Sequence, residues 1–255
     1  MKKVPVKTKI IDTLFLSIVV VVCAIIFDSA LLCWLMELGF VMSLGELFLT
    51  AYTRRDKFQE TRFGIFPKRS HYILITAVNI ALASICLFLF RPQPKEFILF
   101  FAAVISSDAG GLFFGKLFGK RHPWFSHKLS PNKTWAGYFG EFITCWSVCA
   151  IVILVLDIEV TPVNQLFLAL APLFGTIGDL CASGAKRQLG IKDSSEVFRD
   201  MPILGKLEWF IKSRDGFLDC FDSIASTFVY YAAIYLFLAW ASCVRAGLFS
   251  YLLSF

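Results

Sequence analysis

Residues 135–156 read WAGYFGEFITCWSVCAIVILVL and contain a single charged side chain, that of Glu141. An apolar run of about 20 residues is the length that an α-helix needs to cross the hydrocarbon core of a bilayer. Because such runs recur along the chain, the sequence predicts an all-α, polytopic transmembrane bundle of about seven helices. The predicted spans are residues 10–27, 29–50, 72–90, 97–117, 135–156, 165–185 and 217–240.

The composition of the 255-residue chain agrees with a membrane protein. It is 57% hydrophobic and 17% charged, whereas a soluble domain is usually about a quarter charged. These values exclude a disordered chain and a secreted disulfide scaffold. The net charge of +6 would be compatible with a nucleic-acid binder, so the position of the charge has to be examined first.

The basic residues are distributed unevenly between the predicted loops. All but three of the 25 lysines and arginines fall in the N-terminal stretch and in alternate loops, the exceptions being Arg91, Lys95 and Arg245. By the positive-inside rule, this bias places the N-terminus and those loops in the cytosol. The first span could be a cleaved signal peptide, but its long apolar run favours a retained anchor. The net charge therefore indicates topology, and no nucleic-acid partner is expected.

The cysteines and histidines give no sign of a metal site. The eight cysteines lie in or beside apolar spans without a CxxC pair, as small buried hydrophobic residues do. The three histidines, His71, His122 and His127, lack the spacing of metal ligands.

Carboxylates within the spans are the first functional candidates, because an intramembrane charge costs at least about 2.5 kcal/mol. Asp179, Ser183 and Lys186 are spaced to share one face of a helix. They could hold a metal ion and the phosphate oxygens that it bridges. An Asp179–Lys186 pair that only neutralises itself is an equally good interpretation.

A second acidic pair begins the last span. Asp219 and Asp222 are three residues apart and project from one side of a helix. Two carboxylates in this position repel each other unless a cation lies between them, although a helix N-terminus also favours acidic residues. The metal interpretation is preferred because Asp179 approaches the same membrane depth.

The fourth predicted span and the loop after it supply further candidates. Asp108 lies at the start of a stripe of small residues, Gly111, Gly115 and Gly119, which favours close helix packing. The loop KLSPNKTWAG at residues 128–137 ends at a predicted helix start with Thr134 as its N-cap. Such a corner suits phosphate binding, but it lacks Walker A glycine spacing. Glu37, Glu46 and Glu141 have no such context.

Three motifs in this order resemble those of the phosphatidate cytidylyltransferases, also called CDP-diacylglycerol synthases. They are SPNKTWAG at 130–137, SGAKRQLGIKDS at 183–194 and LDCFDS at 218–223. The resemblance covers roughly residues 106–225. The chain departs from the usual last motif at Arg214, Asp215 and Cys220.

The resemblance implies that CTP and phosphatidate react, with Mg²⁺ as cofactor, to give CDP-diacylglycerol and pyrophosphate. It implies metal ligation by Asp179, Asp219 and Asp222, and catalytic roles for Asp179, Asp219 and Lys186. The substrate-binding candidates are Ser130, Lys133, Thr134, Ser183, Arg187, Lys192, Asp193 and Asp108.

These expectations define an overall organisation. Residues 1–70 would form an N-terminal transmembrane hairpin with a basic cytosolic loop, and residues 71–255 a transmembrane catalytic region. The protein would lie in a cell inner membrane or an internal membrane, with its active site facing the cytosol and membrane lipid around it. A homodimer is compatible with the sequence.

Three other functions fit part of the pattern. A polyprenol or phytol-type lipid kinase would release CDP instead of pyrophosphate. A secondary transporter would place its acidic residues near the bilayer middle within related halves, and neither feature is visible. An inactive scaffold would account for the departures in the last motif.

Overall fold

The structure is a computed structural model that describes residues 29–53, 71–119, 130, 133–191 and 218–252. These residues form helices and no strand, and each helix is long and apolar enough to cross a membrane. The helices are α1 (Ser29–Thr53), α2 (His71–Phe90), α3 (Pro94–Phe118), α4 (Trp135–Leu156), α5 (Pro162–Gln188) and α6 (Leu218–Leu252). The protein is therefore an integral, all-α membrane protein.

Six of the seven predicted spans correspond to helices, and the predicted span 10–27 lies outside the described residues. The last helix continues to Leu252, well beyond the predicted end at residue 240. The predicted N-cap of α4 is confirmed, since the Thr134 hydroxyl accepts a hydrogen bond of 3.1 Å from the Gly137 N–H. Thr161 caps α5 in the same way.

The helices associate mainly as two pairs, α3 with α4 and α5 with α6. Glycines let the backbones of each pair approach closely. A Cβ atom on Gly110 of α3 would lie 2.6 Å from the Gly140 carbonyl oxygen of α4, and one on Gly137 would lie 2.9 Å from the Gly111 carbonyl oxygen. The predicted small-residue stripe is thus the packing surface between α3 and α4.

Aromatic side chains join the two pairs. Phe100 of α3 meets Phe228 of α6 with ring centroids 5.4 Å apart and Phe167 of α5 at 5.9 Å. Phe167 in turn contacts the Tyr231 ring at 5.2 Å. All four rings are buried, so they form a dry core between α3, α5 and α6.

Pro172 interrupts the hydrogen-bond ladder of α5, because proline has no N–H to donate to the Leu168 carbonyl. In a membrane such a carbonyl needs another donor. The indole N–H of Trp146 on α4 supplies it, with a donor–acceptor distance of 2.9 Å.

Helices that are consecutive in the sequence run in opposite directions, so the C-terminal halves of α1, α3 and α5 and the N-terminal halves of α2, α4 and α6 lie at the same end of the bundle. Gly119, the C-cap of α3, lies against Thr134 before α4, and Lys186 of α5 pairs with Asp219 of α6. A further polar contact at this end joins Glu46 of α1 to the first turn of α6. We call this the site end of the bundle, since the candidate residues on α3 to α6 lie there.

The close packing of α5 on α6 predicts which glycine-to-alanine substitutions destabilise the protein. A Cβ on Gly178 would lie 2.5 Å from the Asp222 carbonyl oxygen, an atom of the backbone, whereas one on Gly45 of α1 would have no neighbour within 4 Å. We expect Gly178→Ala to cost about 1–3 kcal/mol and Gly45→Ala to be neutral or stabilising by up to about 1 kcal/mol. Thermal unfolding of the detergent-purified variants measures both, and equal melting temperatures would contradict this packing.

Candidate active site

Lys133 is the central cation of the site. It lies just before α4 begins, and its backbone N–H donates to the Ser130 carbonyl at 3.2 Å. Its ammonium nitrogen lies 3.0 Å from Oδ2 of Asp179 on α5 and 3.2 Å from Oε1 of Glu141 on α4. One lysine thus bridges carboxylates of two helices.

The carboxylates around Lys133 keep its ammonium group protonated. Burial lowers the pKa of the Lys133 ammonium, but the negative charges of Asp179, Glu141 and Asp108 outweigh that effect and hold the pKa above its ordinary value. Since an unperturbed lysine already titrates near pH 10.4, Lys133 stays protonated throughout the physiological range.

Lys186 makes the second ion pair, and its partner is Asp219 on α6. Both side chains are largely buried, with 12% and 14% of their surfaces exposed. The alternative of a self-neutralising Asp179–Lys186 pair is therefore wrong. Lys133, which precedes α4, pairs with Asp179 on α5, and Lys186 on α5 pairs with Asp219 on α6. The two ion pairs therefore connect different parts of the bundle.

Asp222 lies one turn after Asp219 on α6 and is 5% exposed. One of its carboxylate oxygens accepts a hydrogen bond of 2.6 Å from the Ser223 N–H. The charges of Asp179, Asp219 and Lys186 all act on it. Asp222 thus lies near the Lys186–Asp219 ion pair, whereas Asp179 is paired with Lys133.

Asp108 completes the acidic cluster from α3. It is exposed on the helix surface and borders a narrow cleft with Ser107, Gly175, Ser223 and Thr227. Its charge interacts with those of the Lys133 group. Three carboxylates are therefore paired with the two lysines, and those of Asp108 and Asp222 lie within electrostatic range of them.

The donor set fits one kind of cation site. Within the described part of the chain, no three His, Cys, Asp or Glu side chains are arranged to hold a metal by themselves. Carboxylate oxygens nevertheless suit Mg²⁺, which proteins usually bind through one or two carboxylates together with substrate phosphates. Asp179, Asp219 and Asp222 fit a cation shared with a phosphate substrate better than a closed protein cage.

The sequence profile of the cytidylyltransferase family matches residues 4–238, almost the whole chain. The chain belongs to this family. A phosphatidate cytidylyltransferase of Staphylococcus saprophyticus is 29% identical over 177 residues, which are 69% of this chain and 60% of that protein. The Bacillus subtilis enzyme of the same name is 33% identical over 128 residues, 49% of this chain and 42% of that protein.

A third similar protein, the phosphatidate cytidylyltransferase of Staphylococcus epidermidis, is 29% identical over 154 residues, 60% of this chain and 54% of that protein. This member of the cytidylyltransferase family thus spans about three fifths or less of these relatives' length. No solved structure matches it.

The other predicted site residues divide into two groups in this cytidylyltransferase-family chain. Ser183 and Arg187 lie half-buried on the last two turns of α5, and Thr134 caps α4 beside Lys133. The Ser130 carbonyl accepts a hydrogen bond from the Lys133 N–H. Lys192, Asp193, Arg214 and Asp215 lie outside the described residues, as does the side chain of Cys220.

Two acidic residues of the site were not singled out from the sequence. Glu141 was left without a role, yet both its oxygens are engaged, one by Lys133 and the other by the Thr176 hydroxyl. Glu46 of α1 is 1% exposed and accepts a hydrogen bond of 2.7 Å from the Leu218 N–H, at the N-terminus of α6. The available signal was a carboxylate inside an apolar span, which requires a partner.

The Lys186–Asp219 pair makes a prediction about stability. Lys186→Met removes the cation that pairs with Asp219, so we expect a loss of about 2 kcal/mol. Once Lys186 has been replaced, adding Asp219→Asn should cost less than Asp219→Asn costs in the wild type, because the interaction between the two side chains is already lost. Thermal unfolding of the two single variants and the double variant measures this coupling, and losses that simply add would show that the pair does not carry the interaction.

Proposed function

We propose that this protein catalyses the reaction of CTP with phosphatidate, giving CDP-diacylglycerol and pyrophosphate. The observation that carries the proposal is the convergence of three separate sequence motifs on one cluster. Lys133 from the first motif, Lys186 from the second and Asp219 from the third meet at one end of the bundle. Membership of the cytidylyltransferase family and similarity to proteins named phosphatidate cytidylyltransferase support the same reaction.

The chemistry requires two polyanions to come together. A phosphatidate oxygen attacks the α-phosphorus of CTP, a new P–O bond forms, and the bond to the oxygen that bridges to the β-phosphorus breaks. The electron pair leaves with pyrophosphate. Because a phosphate monoester is already anionic near neutral pH, the protein need not supply a base, and its main task is electrostatic.

The two lysines are suited to hold phosphate. An ammonium group has three N–H donors, and Lys133 directs two of them at Asp179 and Glu141. Its third donor is available for a phosphate oxygen. Lys186 is paired with Asp219 and lies within electrostatic range of Asp179 and Asp222, so a phosphate bound between the lysines would lie close to the carboxylates.

The excess of carboxylates motivates a divalent cation. The two lysines are paired with three carboxylates, those of Glu141, Asp179 and Asp219, so the paired groups alone carry a net negative charge that disfavours a triphosphate. Asp179, Asp219 and Asp222 would hold Mg²⁺ together with the substrate phosphates. The cation would neutralise the phosphate charge and stabilise the leaving pyrophosphate.

Substitution of the carboxylates tests the proposed reaction. Asp179→Asn and Asp219→Asn keep the size of each side chain but remove its negative charge, so we expect lipid-linked CMP to form at least about a hundredfold more slowly. The measurement uses purified protein in detergent–lipid micelles with labelled CTP, phosphatidate and Mg²⁺. Full activity in either variant would contradict the assigned role.

The matched control is Asp157→Asn. Asp157 ends α4 at the opposite end of the bundle in the left-handed region, with φ of 48°, and asparagine tolerates that conformation. This variant should retain wild-type activity. If the wild-type protein releases CDP, and neither pyrophosphate nor lipid-linked CMP, the reaction is a lipid kinase reaction and the proposal fails.

We further propose that the site end faces the cytosol. The loops at this end, residues 54–70, 120–132 and 192–217, contain most of the basic residues, whereas the connection at 91–93 contains only Arg91. Positive loops remain in the cytosol, and a site there would receive cytosolic CTP and membrane lipid together.

Sealed vesicles test this orientation. CTP cannot cross a bilayer, so added CTP should give product in inverted membrane vesicles and little in right-side-out vesicles. Permeabilising the right-side-out vesicles should restore the rate. The opposite preference would place the site on the other side of the membrane.

A further inference from the structure

We propose that Glu141 is a positioning residue that fixes the Lys133 ammonium for CTP binding. Thr176 holds the Glu141 carboxylate by a hydrogen bond, and Gly111 leaves the space in which it lies. The inference rests on the proposed function, because it assigns a role toward that same substrate. Glu141 lies outside the three motifs from which the site was predicted, and it does not itself need to touch the nucleotide.

The contacts of Glu141 leave its carboxylate little freedom. The residue is 4% exposed, and its two oxygens face different partners. Oε1 lies 3.2 Å from the Lys133 ammonium nitrogen, and Oε2 accepts a hydrogen bond from the Thr176 hydroxyl of α5. A side chain bound at both oxygens holds its cation in one place.

The helix packing leaves room for this carboxylate. A Cβ atom on Gly111 of α3 would lie 2.7 Å from Oε1 and 2.8 Å from Cγ of Glu141. The two positions therefore depend on each other. Four residues further along α3, a Cβ on Gly115 would have ordinary contacts, at 3.4 Å from the Thr134 hydroxyl oxygen and 3.6 Å from the Gly137 Cα.

Glu141 also connects the two helix pairs. The α4 helix packs far more extensively on α3 than on α5. At the site end, two polar contacts join this part of the chain to α5. They are the hydrogen bond between Glu141 of α4 and Thr176, and the ion pair between Lys133, just before α4, and Asp179. Because Lys133 pairs with both Glu141 and Asp179, Glu141 sets where the lysine lies relative to α5.

This arrangement determines the direction of the remaining N–H donor of Lys133. With Glu141 and Asp179 each accepting one hydrogen bond, the third donor has a defined direction. Without Glu141, the ammonium would be held by Asp179 alone and could rotate about that contact. The expected consequence is weaker CTP binding without loss of any group that touches the nucleotide.

Glu141→Ala and Glu141→Gln separate this role from a general structural one. Glu141→Ala should weaken CTP binding about tenfold, the usual effect of losing one hydrogen bond to a charged group. Glu141→Gln keeps one oxygen that can accept from Lys133, and its NH2 group can donate to the Thr176 hydroxyl oxygen, so it should recover most of the affinity. The probe is CTP with Mg²⁺, measured by isothermal titration on the detergent-purified protein. Glu37→Gln, a charge-removing change on α1 where Ser84 donates to the carboxylate, is the matched control.

A double-mutant cycle tests whether Glu141 acts through Lys133. If it does, adding Glu141→Ala to Lys133→Met should change CTP affinity no further. The inference is overturned if Glu141→Ala binds CTP like the wild type, or if its effect is undiminished in the Lys133→Met background. A wild-type protein that does not bind CTP would overturn the proposed function itself, so the two failures are distinguishable.

Gly111→Ala provides a test that leaves Glu141 in the chain. Its methyl group should displace the carboxylate and lower CTP affinity to about the level of Glu141→Ala, about tenfold below the wild type. Gly115→Ala, in the same stripe and with open contacts, should bind CTP normally. Equal affinities for the two glycine variants would contradict the proposed position of the Glu141 carboxylate against Gly111.

Discussion

The structure depends on the requirement that a charged group within a bilayer must have a partner. Lys133 meets this requirement for Glu141 and Asp179 at once, and Lys186 meets it for Asp219. These partners lie on different helices, so satisfying the charges also determines how the helices are arranged. The stability of the bundle and the geometry of its polar site therefore have the same physical origin.

This origin explains why the site lies at one end. The rest of the interface between α3, α5 and α6 is filled by buried aromatic rings such as Phe100 and Phe228, which offer no polar group to a substrate. At the site end, glycines replace bulky side chains and leave space for carboxylates. Paired charges can exchange partners with an incoming phosphate, whereas an aromatic core cannot.

The helices and several local features could be predicted from the sequence, because they follow from short-range patterns. Apolar runs identified the six described spans, and the position of Thr134 identified the start of α4. Ion pairing could not be predicted, since it depends on which faces of distant helices meet. Lys186 therefore pairs with Asp219 and not with the aspartate on its own helix face, and Glu46 binds the N-terminus of a helix 172 residues away in sequence. Glu141 was missed for the same reason.

The central claim is that CTP binds where the paired charges meet, and an experimental structure of the protein with CTP and Mg²⁺ tests it most directly. The account predicts that the triphosphate lies between Lys133 and Lys186, with Mg²⁺ shared between the phosphates and the aspartates, and that Glu141 still holds Lys133. Nucleotide bound elsewhere, with both lysines still paired only to their carboxylates, would contradict it.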